Sequence, residues 1–244
     1  AMSAKLDPFP CPAEPPSLSA GGRLAAGILA ARSLRASCRR ARAGGSPVGG
    51  REAHEDSGGL VPACVASPES HPELELSAGV FITLYNDDAL RGCIGMVERS
   101  EPLRASVPRL TCAAASRDIR FPPVNAQEIP RLRIEITLLG CMSLLPPEPE
   151  RLLAGVDPAE HGLRVKLGER SAILLPKVAR RFGWGTRELL EQVSRKAGLD
   201  LDAWRDPRAD VSAFTAWSFE VSSSGEPLPA GPPSQPGDEK VPRG

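Results

Sequence analysis

The sequence predicts an α+β fold: a mainly antiparallel sheet with flanking helices. Three observations carry that prediction. Strand-like segments come in pairs joined by short turns, which is the pattern of hairpins. Amphipathic helical segments lie among these pairs without the strict strand–helix alternation of a parallel sheet. Hydrophobic residues make up 41% of the 244 but aromatics only 4%, so the core has to be aliphatic and alanine-rich.

The elements follow in order. Residues 23–42 place Leu24, Ile28, Ala31 and Leu34 at helical spacing among six arginines. They read either as the first helix of the domain with a solvated arginine face, or as a basic or targeting arm. Val80 to Tyr85 is β-branched and aromatic, hence strand-like. Asn86-Asp87-Asp88 makes a turn, and Leu90 to Ile94 returns as the second strand. Leu103, Val107, Leu110 and Ala114 define an amphipathic helix from Pro102 to Ser116, which Pro108 should kink or split.

Asn125-Ala126-Gln127-Glu128 has capping-box spacing and predicts a short helix. Residues 132–139 alternate as a strand with one buried face. A second hairpin turns at Gly168-Glu169, and 176–182 is a short helix. Thr186 should cap the next helix, which Gly198 ends. Residues 211–221 alternate as one last strand.

Residues 1–22 and 222–244 are rich in proline and small polar residues and read as disordered tails. Residues 43–76 read as a linker or insertion. The folded core is then 77–221 plus the helix at 23–42.

Composition removes several function classes. Thirty basic and 30 acidic side chains give zero net charge, which argues against nucleic-acid or polybasic membrane binding. No apolar run reaches the roughly 18 residues that a membrane span needs. The six cysteines form no Cys-x-x-Cys pair, so no metal site is expected, and they read as reduced thiols of a cytoplasmic protein. No charged-then-apolar leader pattern opens the chain. No phosphate-binding or dinucleotide glycine motif occurs, and no cofactor is predicted.

Arg91-Gly92-Cys93-Ile94-Gly95 is the most unusual segment. Glycines within a strand mark a bulge or a close backbone approach. A bulge can aim a side chain outward, and Arg91 beside Cys93 could lower the thiol pKa. Cys93 is therefore either a reactive thiolate or part of a binding bend; the structural alternative is a small residue in a tight turn. His161 is the one histidine within the predicted core and could serve Cys93 as base, with Glu135 orienting it or acting as acid. Structurally, His161 would be a capping or surface residue and Glu135 a solvated strand residue. Asp118 and Arg120 frame a Phe-Pro-Pro loop and read more readily as a brace than as catalysts.

Gly79 to Tyr85 followed by Leu90 to Gly95 resembles the signature of the AMMECR domain family. Further matches run in order: Asp118-Ile119-Arg120-Phe121-Pro122-Pro123, the strand 134–139, Glu160 to Leu163, Leu175 to Ala179, Trp184, Lys196 to Leu199, and Trp204. Ile119 stands where the family usually has proline, and Lys177 where it has glutamine. The resemblance implies an α+β fold of two subdomains with a cleft near the cysteine motif. It implies an accessory or binding protein acting with a Memo-like protein and a radical-SAM enzyme. In that reading Arg91, Gly92, Gly95, Asp118 and Arg120 form the bend that binds a partner or a small anionic ligand. The competing reading is a thiol-dependent enzyme with Cys93 as nucleophile, His161 as base, and Glu135 or Asp118 orienting.

Overall fold

The computed structural model describes residues 17–42 and 71–229. The expectations for residues 1–16, for 43–70 of the linker and for 230–244 lie outside the described residues. In chain order the elements are helix α1 (Ala20–Arg42), the hairpin β1 (Gly79–Asn86) and β2 (Ala89–Met96), and helix α2 (Leu103–Ser116). Next come β3 (Leu132–Leu139), β4 (Ser143–Leu144), α3 (Pro149–Gly155), and the hairpin β5 (Gly162–Leu167) and β6 (Arg170–Leu174). Helices α4 (Pro176–Phe182) and α5 (Thr186–Lys196) then precede β7 (Asp210–Phe214) and β8 (Ala216–Ser222). The fold is α+β, with two open four-stranded sheets ordered β2-β1-β3-β8 and β4-β7-β5-β6.

The chain divides into two compact units. Among the described residues, the first holds 17–42, 71–138 and 218–229. In it α2 packs on β1, β2 and α1. Its apolar sheet face carries Val80, Ile82, Leu84, Ile134, Ile136 and Leu138, all fully buried. The second unit holds Leu139–Trp217. Its core gathers Leu152, Leu163, Leu189, Leu190, Val193 and Trp204, and Trp184 packs against that core.

The first hairpin turns at Asp87, whose φ of 53° is a left-handed conformation that aspartate tolerates better than most side chains. Its ladder runs in register from Val80↔Met96 to Leu84↔Gly92, then shifts to Tyr85↔Leu90. Arg91 is therefore the extra residue of a β-bulge.

Several local expectations change. Pro108 lies inside α2, yet α2 is one helix from Leu103 to Ser116. Its buried face, with Leu103, Val107, Leu110 and Ala114, carries the packing that outweighs the missing hydrogen bond. The inner face of α1 carries Ala31 and Leu34 as expected, together with Ala25, Ala26, Leu29 and Ala30, whereas Leu24 is 40% exposed. Small residues face inward because the contact is close: a Cβ on Gly27 would stand 2.4 Å from the carbonyl oxygen of Gly225.

That contact also corrects the reading of the chain beyond 221 as tail. Ser222 N–H donates to the carbonyl of Glu226 at 2.8 Å, and Leu228 N–H to that of Glu220 at 2.8 Å. Residues 222–228 thus return along β8, and Gly225, at φ 96°, lies against the α1 backbone. Within the predicted linker, Pro72–Glu75 form a 3₁₀ turn that buries Leu74.

The capping-box bonds at 125–128 do form: Asn125 Oδ1 accepts from Gln127 N–H at 2.9 Å, and Asn125 N–H donates to Glu128 Oε1 at 3.0 Å. Only a 3₁₀ turn, Ile129–Arg131, follows, because Pro130 lacks the N–H a longer helix would use. β3 is buried on both faces rather than one, since Glu135 and Thr137 are buried along with the aliphatic residues. The N-cap of α5 is Gly185, and Thr186 instead donates its hydroxyl to the carbonyl of Val156 at 2.9 Å. The single last strand is two, β7 in one sheet and β8 in the other. They part at Thr215, whose carbonyl accepts the Gly140 N–H at 2.9 Å.

Candidate functional site

Cys93 sits two residues past the bulge, directly opposite Thr83. Its sulfur is 3.4 Å from Thr83 Oγ1 and its side chain is half-buried. Its backbone is held from outside the sheet. The Cys93 N–H donates to Asp118 Oδ2 at 2.8 Å, and Arg120 Nη2 donates to the Cys93 carbonyl at 3.4 Å. The Arg120 guanidinium also grips Asp118, at 2.9 Å to Oδ1 and 2.7 Å to Oδ2.

The local sequence explains this clamp. Phe121 N–H donates to the Asp118 carbonyl at 3.1 Å, closing a turn, and Asp118 Oδ1 accepts the Arg120 N–H at 3.2 Å. Both side chains are thereby aimed at β2. Ile119, at the turn position that favours proline, points away and is fully exposed. Isoleucine is tolerated there for that reason. Burial of Asp118 pushes its pKa up. The Arg120 guanidinium and the N–H groups of Cys93 and Arg120 outweigh that and hold the carboxyl below its ordinary value.

Arg91 is committed in the same way. Its Nε donates to Glu128 Oε2 at 2.6 Å, and its Nη2 donates to Glu128 Oε1 at 3.1 Å and to the Pro123 carbonyl at 3.3 Å. Both side chains are mostly buried, at 13% and 18% exposure. The Arg91 hydrogen bonds hold the Glu128 carboxyl below its ordinary value despite the opposing effect of burial. The two glycines are spacers: a Cβ on Gly92 would stand 2.3 Å from the Ala114 carbonyl oxygen, and one on Gly95 2.2 Å from the Phe81 ring.

The sheet face that carries Cys93 is polar across its width. Tyr85 donates its hydroxyl to Glu135 Oε2 at 3.3 Å, and both residues are buried. Arg133 lies 5.2 Å over the Tyr85 ring and pairs with Glu220 and Asp88. Thr137 and Ser218 share a hydroxyl–hydroxyl bond at 2.8 Å. Glu135 is thus a buried acceptor within a network and not the solvated strand residue of the structural alternative. Replacing Tyr85 by phenylalanine removes one donor to it, and should lower stability by about 1 kcal/mol in urea unfolding.

Of the predicted residues, the first unit holds Cys93, Glu135, Arg91, Gly92, Gly95, Asp118 and Arg120. The structure ties Cys93 to Asp118 and Arg120, while Arg91 binds Glu128. His161 belongs to the second unit, just before β5, where its Nδ1 accepts the Asp157 N–H at 3.1 Å. Among the described residues no group of three or more His, Cys, Asp or Glu is placed to hold a metal. No described helix is long and apolar enough to cross a membrane. Thr83 and Tyr85 are not among the site residues read from sequence, and Glu128 is read there only as part of a capping box. The period-two pattern of Phe81-Thr83-Tyr85 and Arg133-Glu135-Thr137 was the available signal.

The chain matches a family model described as AMMECR1 over residues 55–219. A protein of Thermococcus kodakarensis is 39% identical over 178 residues, 69% of this chain and 82% of that one. A Pyrococcus horikoshii protein is 37% identical over 169 residues, 67% of this chain and 80% of that one. The solved structure of an uncharacterized Pyrococcus horikoshii protein superimposes with a TM-score of 0.63 at 31% identity. That match covers 80% of this chain and 91% of the archaeal one.

Proposed function

The chain belongs to the AMMECR1 family, and from that premise we propose that it is a cytoplasmic accessory protein that uses the Cys93 bend to recognise a partner or a small ligand. Its expected protein partners are a Memo-like protein and a radical-SAM enzyme. One observation carries this reading: both arginines near Cys93 are neutralised by carboxylates, Arg91 by Glu128 and Arg120 by Asp118. Charge that activates a thiolate has to be available to the sulfur. Here each guanidinium is paired with a carboxylate, and the pairs fix the backbone of a rigid bend suited to recognition.

A thiol-dependent enzyme is the second reading, favoured by the Thr83 hydroxyl 3.4 Å from the sulfur and by buried Glu135 in the polar network of the same sheet face. The pH dependence of Cys93 alkylation, read by mass spectrometry against Cys38, Cys112 and Cys141, separates the two. The accessory reading expects Cys93 to react no faster than the exposed Cys141 below pH 7. It also expects Cys93→Ser to hold a Memo-like or radical-SAM partner within about tenfold of the parent Kd, a loss under ~1.4 kcal/mol. Fast alkylation below pH 7, together with lost turnover in Cys93→Ser on a screened thiol-reactive substrate, would replace it by the enzyme reading.

A further inference from the structure

β2 forms one edge of the sheet β2-β1-β3-β8. An edge strand presents backbone N–H and C=O groups that no neighbouring strand pairs, a template for strand addition. At Cys93 side chains take both groups: Asp118 accepts the N–H at 2.8 Å and Arg120 donates to the C=O at 3.4 Å. An acceptor and a donor so placed are what one residue of a fifth strand would supply. Asp118 is buried and locked to Arg120, so the pair is a fixed part of the edge. The opposite edge is closed by other means, the main chain of 226–228 returning along β8.

Beyond its bulge at Arg91, β2 carries few protections of its own. Its sequence, Ala-Leu-Arg-Gly-Cys-Ile-Gly-Met, has no lysine and no proline, and its one charge, Arg91, is turned to Glu128. We propose that Asp118 and Arg120 are an edge guard, and that the partner they exclude is β2 of a second copy of this chain. A strand edge is complementary to itself. Two copies related by a twofold axis would place Cys93 opposite Cys93, each N–H donating to the other's carbonyl. With one near-neutral strand of eight residues, no like charge opposes that pairing.

The test is sedimentation velocity of the full chain over a concentration series, with amide hydrogen exchange at Cys93. Asp118→Ala, alone or with Arg120→Ala, should raise the self-association constant at least about tenfold, ~1.4 kcal/mol, and speed exchange of the Cys93 amide at concentrations where the chain is monomeric. Arg120 is 44% exposed and reaches water once its carboxylate is gone, and the double variant leaves neither charge of the pair behind. Adding Cys93→Pro, which removes the outward N–H, should return association to the parent level. Unchanged association in a folded guard variant overturns the proposal. So does association that survives Cys93→Pro, because it would then run through another surface.

Discussion

Gly92→Val should be among the most destabilising single changes in the first unit, costing about 3 kcal/mol or more. The new Cβ would meet the carbonyl oxygen of Ala114 at 2.3 Å, and that oxygen belongs to the backbone of α2. A helix cannot yield there without leaving the sheet that it covers. The bulge and the clamp on Cys93 depend on that packing, so partner binding should fall with stability. Gly95→Ala is the control. Its Cβ meets the ring of Phe81, a half-buried side chain that can turn aside. It should cost about 1 kcal/mol. Urea midpoints of the two variants check the contrast, and equal losses would mean that α2 does not set the position of β2.

The second large effect is expected at Arg91. Arg91→Ala leaves the Glu128 carboxylate, with 18% of its side chain exposed, without its bidentate partner, at about 2 kcal/mol. The double variant with Glu128→Gln should recover part of that loss, because no buried charge is then stranded. The pH dependence has a definite sign. Glu128 and Asp118 both titrate lower in the folded chain than as ordinary carboxyls. A carboxyl lowered by folding contributes stability that is fully present above its unfolded value, about 4. That contribution is lost as the pH falls from there through the folded value. The parent should therefore lose stability on acidification below about pH 4, and Arg91→Ala should lose less, since the part of the Glu128 share that Arg91 supplies is already gone and only the Asn125 N–H still lowers that carboxyl. Identical acid slopes in the two proteins would remove Arg91 as the cause of the lowered Glu128.

Much of the fold was legible because it is written in local periodicity. The first hairpin, α2, β3 and the second hairpin each show their period over a single run of residues. The bend at 91–95 was legible too, since two glycines inside a strand mark a place where the backbone bends or is closely approached. The destination of an element was less visible. Residues 211–221 alternate without a break, yet they divide at Thr215 between two sheets. Period two states that a segment is extended; it carries no information on which edge it joins. On α1 the spacing holds at Ala31 and Leu34 and fails at Leu24 for a related reason. Hydrophobicity marks Leu24 as an inner residue, but close packing against Gly225 selects small side chains.

The candidate site divides in the same way. The sequence by itself determined that the backbone at 91–95 bends or is closely approached, that an Asp-x-Arg pair stands near a rigid turn, and which family this pattern resembles. These follow from residue type and spacing along the chain, which act over a few residues. Only the tertiary structure decided what the charges do. It sends Arg91 to Glu128, 37 positions away, and Asp118 to the Cys93 amide, 25 positions away. It also joins Glu135 to Tyr85, 50 positions apart. Such pairings are set by how strands and helices pack, and a carboxylate, wherever it stands in the chain, is drawn to whichever cation or donor packing leaves beside it away from water.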